Sequence, residues 1–115
     1  MVLPFCECQK PRLVATGIKA YMKNDEVLHL HVRSSMAKRA LVLANSVGVV
    51  DSDYYNNEDN EGHIFFALWN FSDKPVEIKR WDKIGQGVFS KFLTADTPST
   101  NKIRKGGFGS TDDRN

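Results

Sequence analysis

The chain has 115 residues, of which 41% are hydrophobic and 26% charged, and its formal net charge is +2. This length suits a single domain, and so small a charge argues against a nucleic-acid coating protein, which would be far more basic. The longest apolar run, Ile64–Trp69, is far shorter than the ~20 residues of a membrane-spanning helix. Cys6 and Cys8 alone cannot form a disulfide scaffold or a closed zinc site. Since no secretory signal opens the chain, we expect a cytoplasmic protein without membrane or nucleic-acid partners.

Short strand-like segments separated by turn residues run through the chain, and helical periodicity is almost absent. Val27–Val32 alternates apolar and polar positions, which is typical of a half-buried strand in an antiparallel sheet. His63–Asn70 is the strongest strand, rich in Phe, Ile and Trp. In chain order, the predicted strands are Leu13–Ala15, Ile18–Met22, Val27–Val32, Ala40–Leu43, Gly48–Val50, His63–Asn70, Val76–Ile78 and Ile84–Leu93. This spacing predicts an all-β sandwich, barrel or jelly roll.

The composition changes at Ala95, after which Thr, Pro, Ser, Asn, Lys and Gly dominate. Such a segment buries too little apolar surface to order by itself. We therefore predict a β-sandwich core over residues 1–94 and a flexible C-terminal arm over residues 95–115.

Three polar clusters in the core are candidates for chemistry. Arg33-Ser34-Ser35 follows the alternating strand directly. A guanidinium, two hydroxyls and backbone N–H groups at a strand end can cradle a phosphate. The alternative is an ordinary exit from a strand into a turn, which is the commoner meaning of such a tripeptide.

The second cluster, Gly-Val-Val-Asp-Ser-Asp-Tyr, begins at Gly48 and places Asp51 directly after two valines. Because dry surroundings disfavour a charged carboxylate, Asp51 is a candidate general base. Tyr54 could pack a flat face under a sugar. A hairpin with an Asp-rich turn explains the same residues equally well.

The third cluster sets Gln86 between Gly85 and Gly87 inside a predicted strand. Glycines in a strand mark either a bulge or a place where a ligand or another backbone approaches closely. Gln86 could therefore hydrogen-bond a ligand, or the segment could be a structural bulge. The three histidines are assigned no chemistry, because His29 and His31 share a strand face without a third ligand and His63 begins a strand.

The fourth cluster, Arg-Lys-Gly-Gly-Phe-Gly-Ser-Thr, begins at Arg104 in the arm. Glycine N–H groups can wrap an anion, and the embedded Phe108 can stack on a base. A flexible linker explains the glycines but leaves the aromatic residue unexplained. The segment lacks the Gly-Lys-Ser/Thr end of a Walker loop.

In this order and spacing, the four clusters resemble motifs two to five of the homotrimeric dUTPase family, over about Leu13 to Thr111. Arg-Ser-Ser resembles the second motif, Gly-Val-Val-Asp-Ser-Asp-Tyr the third, Lys-Ile-Gly-Gln-Gly the fourth and Gly-Gly-Phe-Gly-Ser-Thr the fifth. The resemblance implies a jelly-roll (β-clip) trimer whose active sites draw on all three subunits. It also implies hydrolysis of dUTP to dUMP and pyrophosphate with Mg²⁺, held through substrate phosphates and water with no direct protein ligand.

The resemblance further implies a role for each matching residue. Asp51 would orient and deprotonate the water that attacks the α-phosphorus, and Tyr54 would pack on deoxyribose and reject a 2′-hydroxyl. Phe108 would stack on uracil as the arm closes. The implied substrate-binding residues are Asn45, Gly48, Val49, Val50 and Phe65 around uracil, Tyr54 at the sugar, Arg33, Ser34, Ser35 and Gln86 at the phosphates, and Arg104, Gly107, Phe108, Gly109 and Ser110 in the arm.

Among the departures of the sequence from the family pattern, two bear on the fold. The first motif, Ala-Gly-Tyr-Asp, whose Asp holds a water of the metal shell, is absent, so we expect an N-terminally shortened jelly roll without one or two strands. An insertion over residues 55–61 displaces the glycine of the third motif to Gly62 and lengthens the hairpin. Two other readings stay open: a non-catalytic member that binds a nucleotide or a protein partner, and a dCTP deaminase.

Overall fold

A computed structural model describes residues 1–4 and 10–96, and short β-strands account for most of its regular structure. The strands are β1 (Val2–Leu3), β2 (Arg12–Ala15), β3 (Glu26–Val32), β4 (Leu41–Leu43), β5 (Gly48–Asp51), β6 (Phe65–Asn70), β7 (Val76–Glu77) and β8 (Gly85–Lys91). A five-residue helix, α1 (Ser34–Lys38), follows β3, and a 3-10 turn over Ser52–Tyr54 follows β5. The all-β expectation is confirmed.

Two three-stranded antiparallel sheets enclose the core, one ordered β5-β3-β8 and the other β2-β6-β4. The alternation of each central strand explains this, since Leu28 and Leu30 of β3 are buried, as are Phe66 and Leu68 of β6. These four side chains belong to one apolar cluster with residues from both sheets. The strands therefore pack as a sandwich with one hydrophobic interior.

A third, two-stranded sheet joins β1 to β7. Leu3 of β1 is 1% exposed, and the Met1 ammonium donates a 2.8 Å hydrogen bond to the Ile78 carbonyl oxygen. The sequence predicts no strand at this end, because two residues are too few to establish a period of two.

The structure corrects two predictions of local structure. Ile18–Met22 forms no strand, although Met22 is buried in the core. Its one ladder-like contact is the Ile64 N–H, which donates to the Ile18 carbonyl oxygen at 2.9 Å. The predicted exit from β3 is instead helix α1, which Met36 anchors by burying its side chain. Five residues give too little periodicity for sequence analysis to detect this helix.

The glycines of β8 serve close packing, and of the two alternatives left open for this segment the structural bulge is wrong. The pairing of β8 with β3 runs without interruption from Val32 opposite Gly85 to Glu26 opposite Lys91. A Cβ atom on Gly85 would overlap the ring of Phe66. The strand therefore needs a glycine there so that the ring of β6 can lie against its backbone.

Candidate active site

A cleft of about 510 Å³ opens at the exposed face of β5 and reaches the start of β6. Its walls combine apolar side chains such as Leu30 and Leu43 with polar groups at its rim. Seven residues singled out from the sequence line it together: Asn45, Gly48, Val49, Val50, Asp51, Tyr54 and Phe65. A concave apolar surface with a few convergent polar groups is the usual form of a small-molecule site.

Asp51 is the last residue of β5 and lies opposite Val27 of β3. Burial alternates along β5, so Val49 and Asp51 share the exposed face that borders the cleft. The dry surroundings expected for Asp51 are therefore not provided by one chain, because the valine buried beside it, Val50, points into the core. An exposed carboxylate at a cleft is well placed to contact a bound water.

The ring of Tyr54 packs against the core and its hydroxyl is held on two sides. The hydroxyl donates a 2.6 Å hydrogen bond to the His63 carbonyl oxygen and accepts a 2.9 Å hydrogen bond from the Asn60 side-chain amide. Both interactions fix the position of the hydroxyl end of the ring at the edge of the cleft. Asn60 is not among the residues predicted from the sequence, although an Asn-rich stretch is a signal for side chains that hydrogen-bond within a turn.

The insertion after Tyr54 closes on Gly62, whose φ of +90° lies in the left-handed region. We expect Gly62→Ala to destabilise the fold more than Gly17→Ala, since a Cβ on Gly62 would lie 2.9 Å from the Asn56 nitrogen. Gly17 has a similar φ of +75° but open space around it. Strain alone costs Gly17→Ala about 1–2 kcal/mol, and the collision adds about 1–3 kcal/mol for Gly62→Ala. Urea unfolding of both variants at one protein concentration measures the difference; equal losses would contradict it.

The residues expected to bind phosphates lie elsewhere on the chain. Arg33 precedes helix α1 and its N–H donates to the Ile84 carbonyl oxygen at 3.3 Å, while Gln86 lies opposite His31 on β8. The structure thus brings Gln86 close to the group Arg33, Ser34 and Ser35. None of these four residues lines the cleft that holds Asp51.

The two groups of residues are separated by the length of β3. Asp51 lies opposite Val27 at one end of this strand, and Arg33 follows its other end. Six residues of extended strand span about 20 Å. One triphosphate cannot contact both groups within a single chain, so one chain presents only part of the predicted site.

The side chain of His63 makes structural contacts. The imidazole Nε2 of His63 accepts a 2.9 Å hydrogen bond from the Gly17 N–H, and its ring lies 4.5 Å from that of Phe65. His29 and His31 are half-buried on β3. In the part of the chain that the structure describes, no group of three or more His, Cys, Asp or Glu side chains could hold a metal ion. In the same residues, no helix is long and apolar enough to cross a membrane.

The residues predicted to act in the arm lie outside the described part of the chain. Residues 97–115 lie outside the described residues, as do residues 5–9. The arm residues concerned are Arg104, Gly107, Phe108, Gly109 and Ser110. Their roles and the division into residues 1–94 and 95–115 stay predictions.

Comparison with known proteins covers nearly the whole chain. The sequence model of the dUTPase family matches residues 4–112. The chain is 52% identical over 103 residues to the deoxyuridine 5′-triphosphate nucleotidohydrolase of Lactococcus lactis subsp. lactis (strain IL1403), covering 87% of this chain and 69% of that protein. The corresponding protein of Histophilus somni (strain 2336) is 33% identical, over 85% of this chain and 66% of its own length. The chain therefore spans about two thirds of these relatives.

Solved structures agree with the sequence comparison. The crystal structure of dUTPase from Streptococcus mutans superposes with a TM-score of 0.73 and 44% identity, covering 84% of this chain and 74% of that one. The native EIAV dUTPase superposes with a TM-score of 0.66 at 17% identity, covering 90% and 78%, which shows the fold alone. The likeness confirms the expected dUTPase-like fold.

Proposed function

This chain belongs to the dUTPase family, and on that premise we propose that it hydrolyses dUTP to dUMP and pyrophosphate. One observation carries the proposal: a single cleft gathers the carboxylate of Asp51, the fixed ring of Tyr54, the amide of Asn45 and the backbone of β5. The carboxylate can act as a general base, the tyrosine ring can support a sugar, and the amide and backbone groups can hydrogen-bond a pyrimidine. Together these groups suit a deoxyuridine nucleotide.

The reaction follows from this arrangement. Asn45 and the backbone around Val49 and Phe65 hold the base, and Tyr54 sets the sugar so that the α-phosphorus faces Asp51. The carboxylate of Asp51 takes a proton from a water molecule while the oxygen of that water bonds to the α-phosphorus. The bond from that phosphorus to the bridging oxygen then breaks, and pyrophosphate leaves with the bonding electron pair. Positioning and charge neutralisation supply most of the rate in such a transfer.

We assign Mg²⁺ to the substrate and not to a cage of side chains. Mg²⁺ keeps several waters and binds through substrate phosphates with few protein carboxylates, and the described residues offer no cluster of ligands. Bound to the triphosphate, the ion would offset negative charge. Asp51 would remain the general base and would not bind the ion directly.

We further propose that the working protein is a homotrimer. Asp51 and the residues for phosphates lie at opposite ends of β3, so a neighbouring copy has to bring Arg33, Ser34, Ser35 and Gln86 to the carboxylate. Strand β8 supports this, since Val88 and Phe89 are 49% and 56% exposed on one chain. Apolar surface of this kind is typical of an interface between subunits.

We also propose that the arm completes the site after substrate binds. Phe108 would stack on uracil, while Arg104 and the N–H groups of Gly107, Gly109 and Ser110 would bind the terminal phosphates. A closed arm would exclude competing water from the reaction. The cytoplasmic location stays a prediction from the sequence.

A pyrophosphate-release assay with dUTP, dCTP, dTTP and UTP, with and without Mg²⁺, tests the proposed activity. We expect release from dUTP to be much faster than from the other three nucleotides, and to depend on Mg²⁺. Tight binding of a non-hydrolysable dUTP analogue without turnover would instead support the non-catalytic alternative. Ammonia release from dCTP would support a deaminase.

Mixing two inactive variants tests the shared site. We expect Asp51→Asn and Arg33→Ala each to be inactive, and their refolded equimolar mixture to regain about one quarter of the parent activity, because one site in four then combines an intact carboxylate with an intact guanidinium from a neighbour. The variant carrying both substitutions is the control and should regain nothing when refolded alone. An inactive mixture in a species three times the 13.0 kDa of one chain would contradict the shared site.

A further inference from the structure

The loop after Tyr54 is bound to the phenol of this residue through side chains that the sequence motif does not contain. Asn60 uses its whole amide. Its Nδ2 donates a 2.9 Å hydrogen bond to the Tyr54 hydroxyl, and its Oδ1 accepts hydrogen bonds from Asn57 Nδ2 at 2.8 Å and from the Gly62 N–H at 3.0 Å. A side chain engaged at both ends in this way is held in one rotamer.

Asn57 holds the other side of the same loop. Its Nδ2 also donates to the Tyr54 carbonyl oxygen at 2.8 Å, and its Oδ1 accepts the N–H groups of Asp59 and Asn60 at 2.9 and 3.1 Å. The loop is therefore tied both to the backbone and to the side chain of Tyr54. Because Asn60 lines the cleft as well, this network reaches the place where the sugar would lie.

Two hydrogen bonds hold the Tyr54 hydroxyl in position. It donates to the His63 carbonyl oxygen at 2.6 Å and accepts from Asn60. Tilting the ring away from the cleft would break both hydrogen bonds. A ring that is held in place excludes the 2′-hydroxyl of a ribose by steric contact. A ring that can shift would make room for this hydroxyl.

We propose that Asn60 is a positioning residue that sets the preference of the site for 2′-deoxyribose over ribose, acting through the Tyr54 hydroxyl. Asn57 supports it by fixing the orientation of its amide. The proposal deepens the proposed function and rests on it, because the preference is expressed only if Tyr54 contacts the sugar.

The test replaces one donor and leaves the loop intact. Asn60→Asp keeps an oxygen for Asn57 and Gly62 but removes the N–H donor to Tyr54. We expect the ratio of kcat/KM for dUTP over UTP to fall about three- to tenfold, the value of one hydrogen bond. The matched control is Asn56→Asp, which adds the same charge to the same loop. Its side chain accepts a 2.6 Å hydrogen bond from Lys19 and has no hydrogen bond to Tyr54, so its ratio should stay at the parent value.

A double-mutant cycle separates positioning from general damage to the loop. In a Tyr54→Phe background the hydroxyl is gone, so Asn60→Asp should produce no further fall in the dUTP over UTP ratio. If Asn60 had only a structural role, Asn60→Asp would lower the melting temperature in both backgrounds. It would then also lower the dUTP over UTP ratio in the Tyr54→Phe background. An unchanged ratio in Asn60→Asp, with the parent still hydrolysing dUTP, would overturn the inference and leave the proposed function standing.

A measurement without nucleotide covers the case in which the parent has no activity. In protein labelled with carbon-13 on tyrosine rings, the resonance of Tyr54 is identified by its loss in Tyr54→Phe. We expect this resonance to shift or broaden in Asn60→Asp and to stay in place in Asn56→Asp. An unmoved resonance in Asn60→Asp would overturn the positioning role itself, whereas a parent that fails to hydrolyse dUTP would count against the proposed function alone.

Discussion

Asp51→Asn should leave a folded protein that binds dUTP but releases pyrophosphate about 10²–10⁴ times more slowly than the parent. The amide keeps the size of the carboxylate but cannot take the proton of the attacking water. Because Asp51 is exposed at the end of β5, the change removes no packing and the melting temperature should be close to that of the parent. Steady-state pyrophosphate release and calorimetry with a non-hydrolysable dUTP analogue measure the two effects separately.

Asp53→Asn is the matched comparison for this prediction. Asp53 lies two residues further along, in the 3-10 turn, is exposed and also lines the cleft. The two variants lose the same charge from the same region. If Asp53→Asn slowed turnover and Asp51→Asn did not, the assignment of Asp51 as the general base would be wrong.

The second large effect concerns stability. We expect Gly85→Ala to lower the free energy of unfolding by about 3 kcal/mol, at the upper end of what overpacking costs. The added methyl would overlap the Phe66 ring and lie 2.8 Å from the His31 carbonyl oxygen. Neither can move without disturbing β6 or the ladder between β3 and β8. Urea unfolding at one fixed protein concentration is the measurement, since the proposed subunit association would contribute to the apparent stability.

Gly87→Ala serves as the control on the same strand. A Cβ there would meet the end of the Leu28 side chain at 2.9 Å, which can change its rotamer. We expect a loss of no more than about 1 kcal/mol. Adding Phe66→Leu to Gly85→Ala should recover part of the larger loss, because it removes the ring atoms that collide. Equal losses for the two alanine variants would refute the packing argument.

The sequence predicts the strands whose pattern is long or dense. β3 and β6 alternate over six or seven residues, and this is enough for a period of two to emerge. Ile18–Met22 has the same composition as a strand, yet its backbone forms no ladder. α1 and β1 are too short for any period, and only tertiary contacts of Met36 and Leu3 fix them.

The candidate site shows the same division. Residues close in sequence, such as Asp51 and Tyr54, are found together in the cleft, and the spacing alone places them near each other. The separation of Arg33 from Asp51 depends on which ends of β3 they adjoin, and this follows only from strand pairing. Asn60 was missed because its role comes from a rotamer within the loop, which composition does not reveal.

The position of Arg33 and Asp51 at opposite ends of β3 has a consequence for how the activity responds to dilution. An enzyme whose site is complete in one chain keeps its specific activity at any concentration. With the proposed trimer, the turnover per chain should decline once the concentration falls below the dissociation constant of the trimer, even while every chain keeps its sandwich intact. Dilution would thus inactivate the enzyme without unfolding it, and the concentration of the chain in the cell would determine whether it is active.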